Sequence, residues 1–79
     1  MTAPTTARLT ARVAGEIRAE LARRGMAAYE LAELLGVSRS WVSYRLRVEQ
    51  TIDLDDLERI SEALGVSIFR LLGEPEQAK

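Results

Sequence analysis

A chain of 79 residues, 47% apolar and 29% charged, has room for one small globular domain and has neither disordered nor membrane-spanning composition. It contains no cysteine and no histidine, which excludes disulfides, Cys/His zinc sites and nucleophiles of the Ser-His or Cys-His kind. No catalytic residue, metal site, cofactor or small-molecule ligand is expected.

The formal net charge of -1 argues at first against a polyanionic partner. It conceals a split. Residues 1–48 carry eight arginines against four acids, whereas residues 49–79 carry three basic residues against eight acids. The first part is able to meet a polyanion and the second is not, so the acidic half is expected to face away from such a partner.

In chain order, residues 1–5 read as a flexible start and 73–79 as a flexible tail, with the domain over residues 6–72. Leu9, Val13, Ile17 and Leu21 recur at every fourth position and predict an amphipathic helix over about 6–24, stopped by Gly25. Beyond it one device repeats. At Val37-Ser38, Ile52-Asp53 and Val66-Ser67 a capping residue follows an apolar one, and the fifth residue after the apolar one is again apolar: Val42, Leu57 and Leu71. This pattern is the hydrophobic staple across an N-cap, and it predicts helices over about 38–48, 53–64 and 67–72. Met26 and Leu31 make a fourth staple around Ala27, which has no side-chain acceptor, so the helix over about 28–35 is expected to have the poorest start. Asp53, Asp55, Asp56 and Glu58 read as acids favouring a helix N-terminus, not as an acid-base pair or metal site.

Only Gly36 and Val37 separate the second and third helices. So tight a corner is a helix-turn-helix, with Gly36 in a backbone conformation other residues resist. Leu-Gly-Val-Ser occurs at both 35–38 and 64–67, and the residues after each copy tell the two apart. Ile68, Phe69, Leu71 and Leu72 are too apolar for one short helix to bury on a small core, and predict a dimer interface. Arg39, Ser40, Trp41, Val42, Ser43, Tyr44, Arg45, Leu46 and Arg47 hold three arginines and no acid. At 100° per residue, Val42 and Leu46 face the core, while Arg39, Ser40, Ser43, Tyr44 and Arg47 spread over the opposite arc. Arg39 and Ser40, in the first turn, are placed to meet base edges, and Arg47 to meet phosphate. Arg45 is expected to stack on Trp41 with its charged head free.

With these residues the sequence resembles the lambda-repressor-like, Cro-type (XRE) helix-turn-helix proteins, from about Ile17 to Leu72, through Leu31-Ala32, Leu35-Gly36-Val37-Ser38-Arg39-Ser40, Val42-Ser43 and Ala63-Leu64-Gly65-Val66-Ser67. The resemblance implies an all-α, five-helix domain, commonly dimeric, that places its third helix in the major groove of double-stranded DNA and acts as a repressor. It carries DNA contacts to Ala28, Arg39, Ser40, Ser43 and Tyr44; Ser38, Arg45 and Arg47 join the DNA-binding face from the reading of the helix itself, with Trp41 as a packing or phosphate-side residue. Ala28 stands where the family usually has Gln, so a phosphate or base-bridging contact is missing there. Arg45-Leu46-Arg47-Val48 replaces the usual apolar-Glu-Asn-Gly, so either the third helix runs further or its loop is built differently. The Arg45-Leu46-Arg47 run followed by Ile52-Asp53-Leu54-Asp55-Asp56-Leu57 looks like phage immunity repressors and regulators of actinobacterial hosts. The expected setting is the bacterial nucleoid or host cytoplasm, with an operator and a homodimer partner as ligands and no membrane. Two other classes remain: a protein-interaction module, such as an antitoxin or a phage protein binding a host factor, and a DNA-bending recombination directionality factor.

Overall fold

Capping chemistry sets the element boundaries. A computed structural model describes residues 5–73, with side chains from residue 9 onward, and contains α1 (Thr5–Arg24), α2 (Ala28–Leu35), α3 (Arg39–Leu46), α4 (Leu54–Leu64) and α5 (Ile68–Leu71). No strand occurs among the described residues. The tails expected over 1–5 and 73–79 lie outside them, apart from Thr5, which opens α1, and Gly73. Three predicted N-caps form: Ser38 Oγ accepts from Trp41 N at 3.0 Å, Asp53 Oδ1 from Asp56 N at 2.8 Å, and Ser67 Oγ from Arg70 N at 3.1 Å. Ala27 makes no such bond, yet half a capping box remains, because Glu30 Oε1 accepts from Ala27 N at 2.7 Å.

The helix ends share a second device. After α2, Gly36 N donates to Glu33 O at 3.2 Å and Val37 N to Ala32 O at 3.1 Å; after α4, Gly65 N donates to Glu62 O at 3.2 Å and Val66 N to Ser61 O at 3.1 Å. Both are Schellman motifs, with Gly36 at φ 72° and Gly65 at φ 67°. The same pair of bonds closes α3, from Val48 N to Arg45 O at 3.1 Å and from Glu49 N to Tyr44 O at 2.7 Å, but here the left-handed residue, at φ 63°, is a valine. The third helix therefore ends at Leu46 instead of running to 48. The β-branched Val48 is held where a Cβ crowds the backbone.

The staples anchor these ends to one core. Val13, Ile17, Leu21, Leu31, Ala32, Val42, Leu46, Leu57, Ile60, Leu64 and Leu71, drawn from all five helices, form a single buried cluster, and Met26, Val37, Ile52 and Val66 pack against it. Two expectations change. Leu9 stays about half exposed, so the buried stripe of α1 begins at Val13. Leu71 is only 1% exposed, because it is the staple partner of Val66, and a side chain in that role cannot also face a partner. The apolar surface expected from α5 reduces to Phe69, 66% exposed, with Ile68 and Leu72 half-buried beside it.

Polar contacts fix the helices that carry the site. Arg18 Nη1 of α1 donates to Leu46 O, the last carbonyl of α3, and Arg59 Nη2 of α4 donates to Leu35 O, the last of α2, at 2.8 Å. Each guanidinium satisfies a carbonyl that its helix leaves unpaired. The buried Glu20 receives Arg23 at 2.7 Å and Arg24 at 2.9 Å, with Arg70 of α5 3.5 Å away. The Arg23 guanidinium, then Arg24, holds the Glu20 carboxyl below the usual carboxylate range against the opposing effect of burial.

Candidate nucleic-acid interface

The corner between α2 and α3 is built by three local choices. Gly36 turns the chain in the left-handed region, Val37 packs beneath it on the core, and Ser38 caps α3. The buried edge of α3 is Val42, 2% exposed, and Leu46, 8% exposed, as the helical wheel requires. Arg39, Ser40, Tyr44 and Arg47 are exposed, and Ser43 is half-buried between them. Ala28, the first residue of α2, is exposed too. Ser38 sits at the N-terminus of α3, where its oxygen is taken by the cap and its hydroxyl hydrogen is left to donate outward.

The three arginines of α3 have different surroundings. Arg45 lies over the Trp41 ring, 3.9 Å from its centroid, as expected, but its head is not free. Its Nε meets Asp56 Oδ2 at 3.3 Å and its Nη1 donates to Trp41 O at 3.2 Å, leaving the side chain 18% exposed. Arg47 is exposed and pairs with Glu49 at 3.2 Å, with its Cζ 5.7 Å from the Tyr44 ring. Arg39 has no carboxylate partner among the described residues; its Cζ lies 4.9 Å from the centroid of Tyr29. Trp41 is half-buried against the core, with Arg59 on it as well, 5.9 Å from the ring centroid.

The acids of the second half are therefore not all turned away. Glu49 and Asp56 both fold back onto arginines of α3. Net positive charge on the outward arc of α3 rests chiefly on Arg39, backed by the neutral donors Ser40, Ser43 and Tyr44. Two residues of this surface escape a reading of α3 alone. Tyr29, 46% exposed in the first turn of α2, lies off that helix's buried face, and an exposed aromatic beside two alanines was the available signal. Asp56 is legible as a capping partner, but nothing in the sequence ties it to Arg45. No group of described acidic residues is arranged to hold a metal ion.

A short capped helix, set across a three-residue corner with its polar donors outward, is the architecture of a helix-turn-helix DNA-binding domain. The helix-turn-helix family model matches residues 17–71, and the chain belongs to that family, in its lambda-repressor-like, XRE-type form. The fold is similar to the crystal structure of a hypothetical transcription factor, NHTF, from Neisseria, with a TM-score of 0.79 and 32% identity over 96% of this chain and 87% of that one. No curated protein matches the chain. No described helix is long and apolar enough to cross a membrane.

Proposed function

We propose that this chain is a sequence-specific, double-stranded-DNA-binding transcriptional regulator without enzyme activity, acting as a repressor of phage or bacterial genes in the bacterial cytoplasm. One observation carries the reading of specificity: Arg39, in the first turn of α3, stands exposed beside Ser40, Ser43 and Tyr44 with no carboxylate on its guanidinium among the described residues. That is the state an arginine needs if its paired N–H groups are to grip guanine O6 and N7. Arg47 and Ser38 flank this face as phosphate contacts, and Ala28, which has no polar side chain, can add only its main-chain N–H at the start of α2. Arg45 and Trp41 support it from behind. The hypothetical transcription factor with the same fold supports a regulatory role, and repression follows from the family's usual action.

Two copies pair, in this reading, through Phe69 with Ile68 and Leu72, which sets two α3 helices on successive turns of a two-fold-symmetric operator. Binding selection from random duplex DNA tests it. Enrichment of a palindrome with half-sites about one helical turn apart is the expected result. Recovery of unselected sequence contradicts it. With the enriched site placed at a promoter, reporter output is expected to fall when the chain is present; a rise or no change contradicts repression.

A further inference from the structure

Tyr29 stands over the one arginine of α3 that no described carboxylate holds. It is the second residue of α2, and its ring centroid is 4.9 Å from Arg39 Cζ. The residues before it, Ala27 and Ala28, end at Cβ. With nearly half its surface exposed, the ring belongs to the outer edge of the corner and not to the core. Backbone geometry fixes both sides of the contact, since the left-handed Gly36 and the Ser38 cap set where Arg39 begins relative to α2.

A guanidinium attracted to a ring face keeps its in-plane N–H groups for other partners. Those donors form the fork that reads guanine. A carboxylate in the same place would occupy them, as Asp56 does for Arg45 and Glu49 for Arg47. An unrestrained arginine also gives up more rotamer freedom on binding than one already held against a ring. The aromatic contact thus restrains Arg39 without taking up its donors.

We propose that Tyr29 is a positioning residue for DNA readout, whose ring holds the Arg39 guanidinium at the mouth of the helix-turn-helix and so sets base preference at the position Arg39 reads. This rests on the reading of the chain as a sequence-specific DNA binder. It makes preference at that base pair a joint property of α2 and α3.

The test is binding selection from random duplex DNA with the full chain as wild type, Tyr29→Phe, Tyr29→Leu, Tyr29→Gln, Arg39→Ala and Tyr29→Leu/Arg39→Ala, each with its melting temperature. The Leu and Gln variants, one apolar and one polar, both lack a π face and guard against a loss of folding in either. Tyr29→Phe is expected to reproduce the wild-type profile at every position. Tyr29→Leu and Tyr29→Gln are expected to melt near the wild type and to lose preference about fivefold, only at the position that Arg39→Ala relaxes. The double variant is expected to lose no more there than Arg39→Ala, because the two residues act as one unit. An unchanged Leu or Gln profile overturns the proposal while leaving DNA reading intact. So does an equal loss at all positions, a Phe variant that behaves like Leu, or a further loss in the double variant. A wild type that enriches no site overturns the DNA reading and this proposal together.

Discussion

Asp56 Oδ2 lies 3.3 Å from Arg45 Nε and 3.4 Å from the backbone N of Asp53, so one carboxylate closes the cap of α4 and holds an arginine of α3. The capping box alone is a local arrangement of Asp53 and Asp56. Extending it to Arg45 fastens the first turn of α4 to the helix that faces outward. Trp41 completes the arrangement, with Arg45 lying on its ring and bonded to its carbonyl oxygen.

Asp56→Ala is expected to destabilise the fold by about 2 to 3 kcal/mol, from a lost cap partner and from an arginine left half-buried without its acid. Urea unfolding measures it. A loss below about 0.5 kcal/mol would mean that the pair is no stronger than an ordinary surface contact.

Val48 occupies the left-handed position that glycine fills after α2 and α4. Val48→Gly removes a strain of about 1 to 2 kcal/mol and adds backbone entropy to the unfolded chain, so a net gain of about 0.5 to 1 kcal/mol is expected. Val48 is 40% exposed, which limits the packing that the change gives up. Destabilisation in thermal or urea melts would contradict this.

How much of the structure was legible in the sequence depends on how local each signal is. Caps and staples span six residues at most, and they located the starts of α2 through α5 to within a residue. The outward arc of α3 came from helix geometry alone. The end of α3 was not legible, because the Schellman bonds that stop it depend on Val48 accepting a conformation its side chain opposes. Leu71 carried two readings, staple partner and interface residue, and burial chose the first. The partners of Arg45 and Arg47 were out of reach for a different reason. Asp56 is eleven residues from Arg45, across a loop whose course is set by tertiary packing, and a charge balance taken over whole halves of the chain cannot resolve single pairs.

Glu20 links stability to pH. Arg23 and Arg24 favour its charged form in the fold and hold its pKa below the usual value near 4.5. The stability this contributes is present above that value and is lost as pH falls through the lower, folded-state value. In melts from neutral pH down to about pH 3, Glu20→Gln is expected to be less stable at neutral pH and to lose less on acidification. An acid limb identical to the wild type would exclude Glu20 as its source.

Leu71 and Phe69 are two residues apart and predict opposite behaviour. Leu71→Ala, at a buried core position, is expected to cost about 2 to 5 kcal/mol of stability. Phe69→Ser is expected to change stability by less than about 1 kcal/mol, since the ring is mostly exposed, while shifting sedimentation towards the monomer. Unaltered self-association in Phe69→Ser would remove α5 from the pairing surface.

Arg39 and Arg47 separate base reading from phosphate binding in a titration of wild type, Arg39→Ala and Arg47→Ala against the selected site and a scrambled duplex at several salt concentrations. Arg39→Ala is expected to weaken binding to the selected site by about 1 to 3 kcal/mol while leaving the scrambled duplex little affected. Arg47→Ala is expected to weaken both alike and to reduce the salt slope by about 1. Equal losses on both duplexes for Arg39→Ala would contradict base reading by α3, because its first-turn arginine would then be meeting phosphate and not bases.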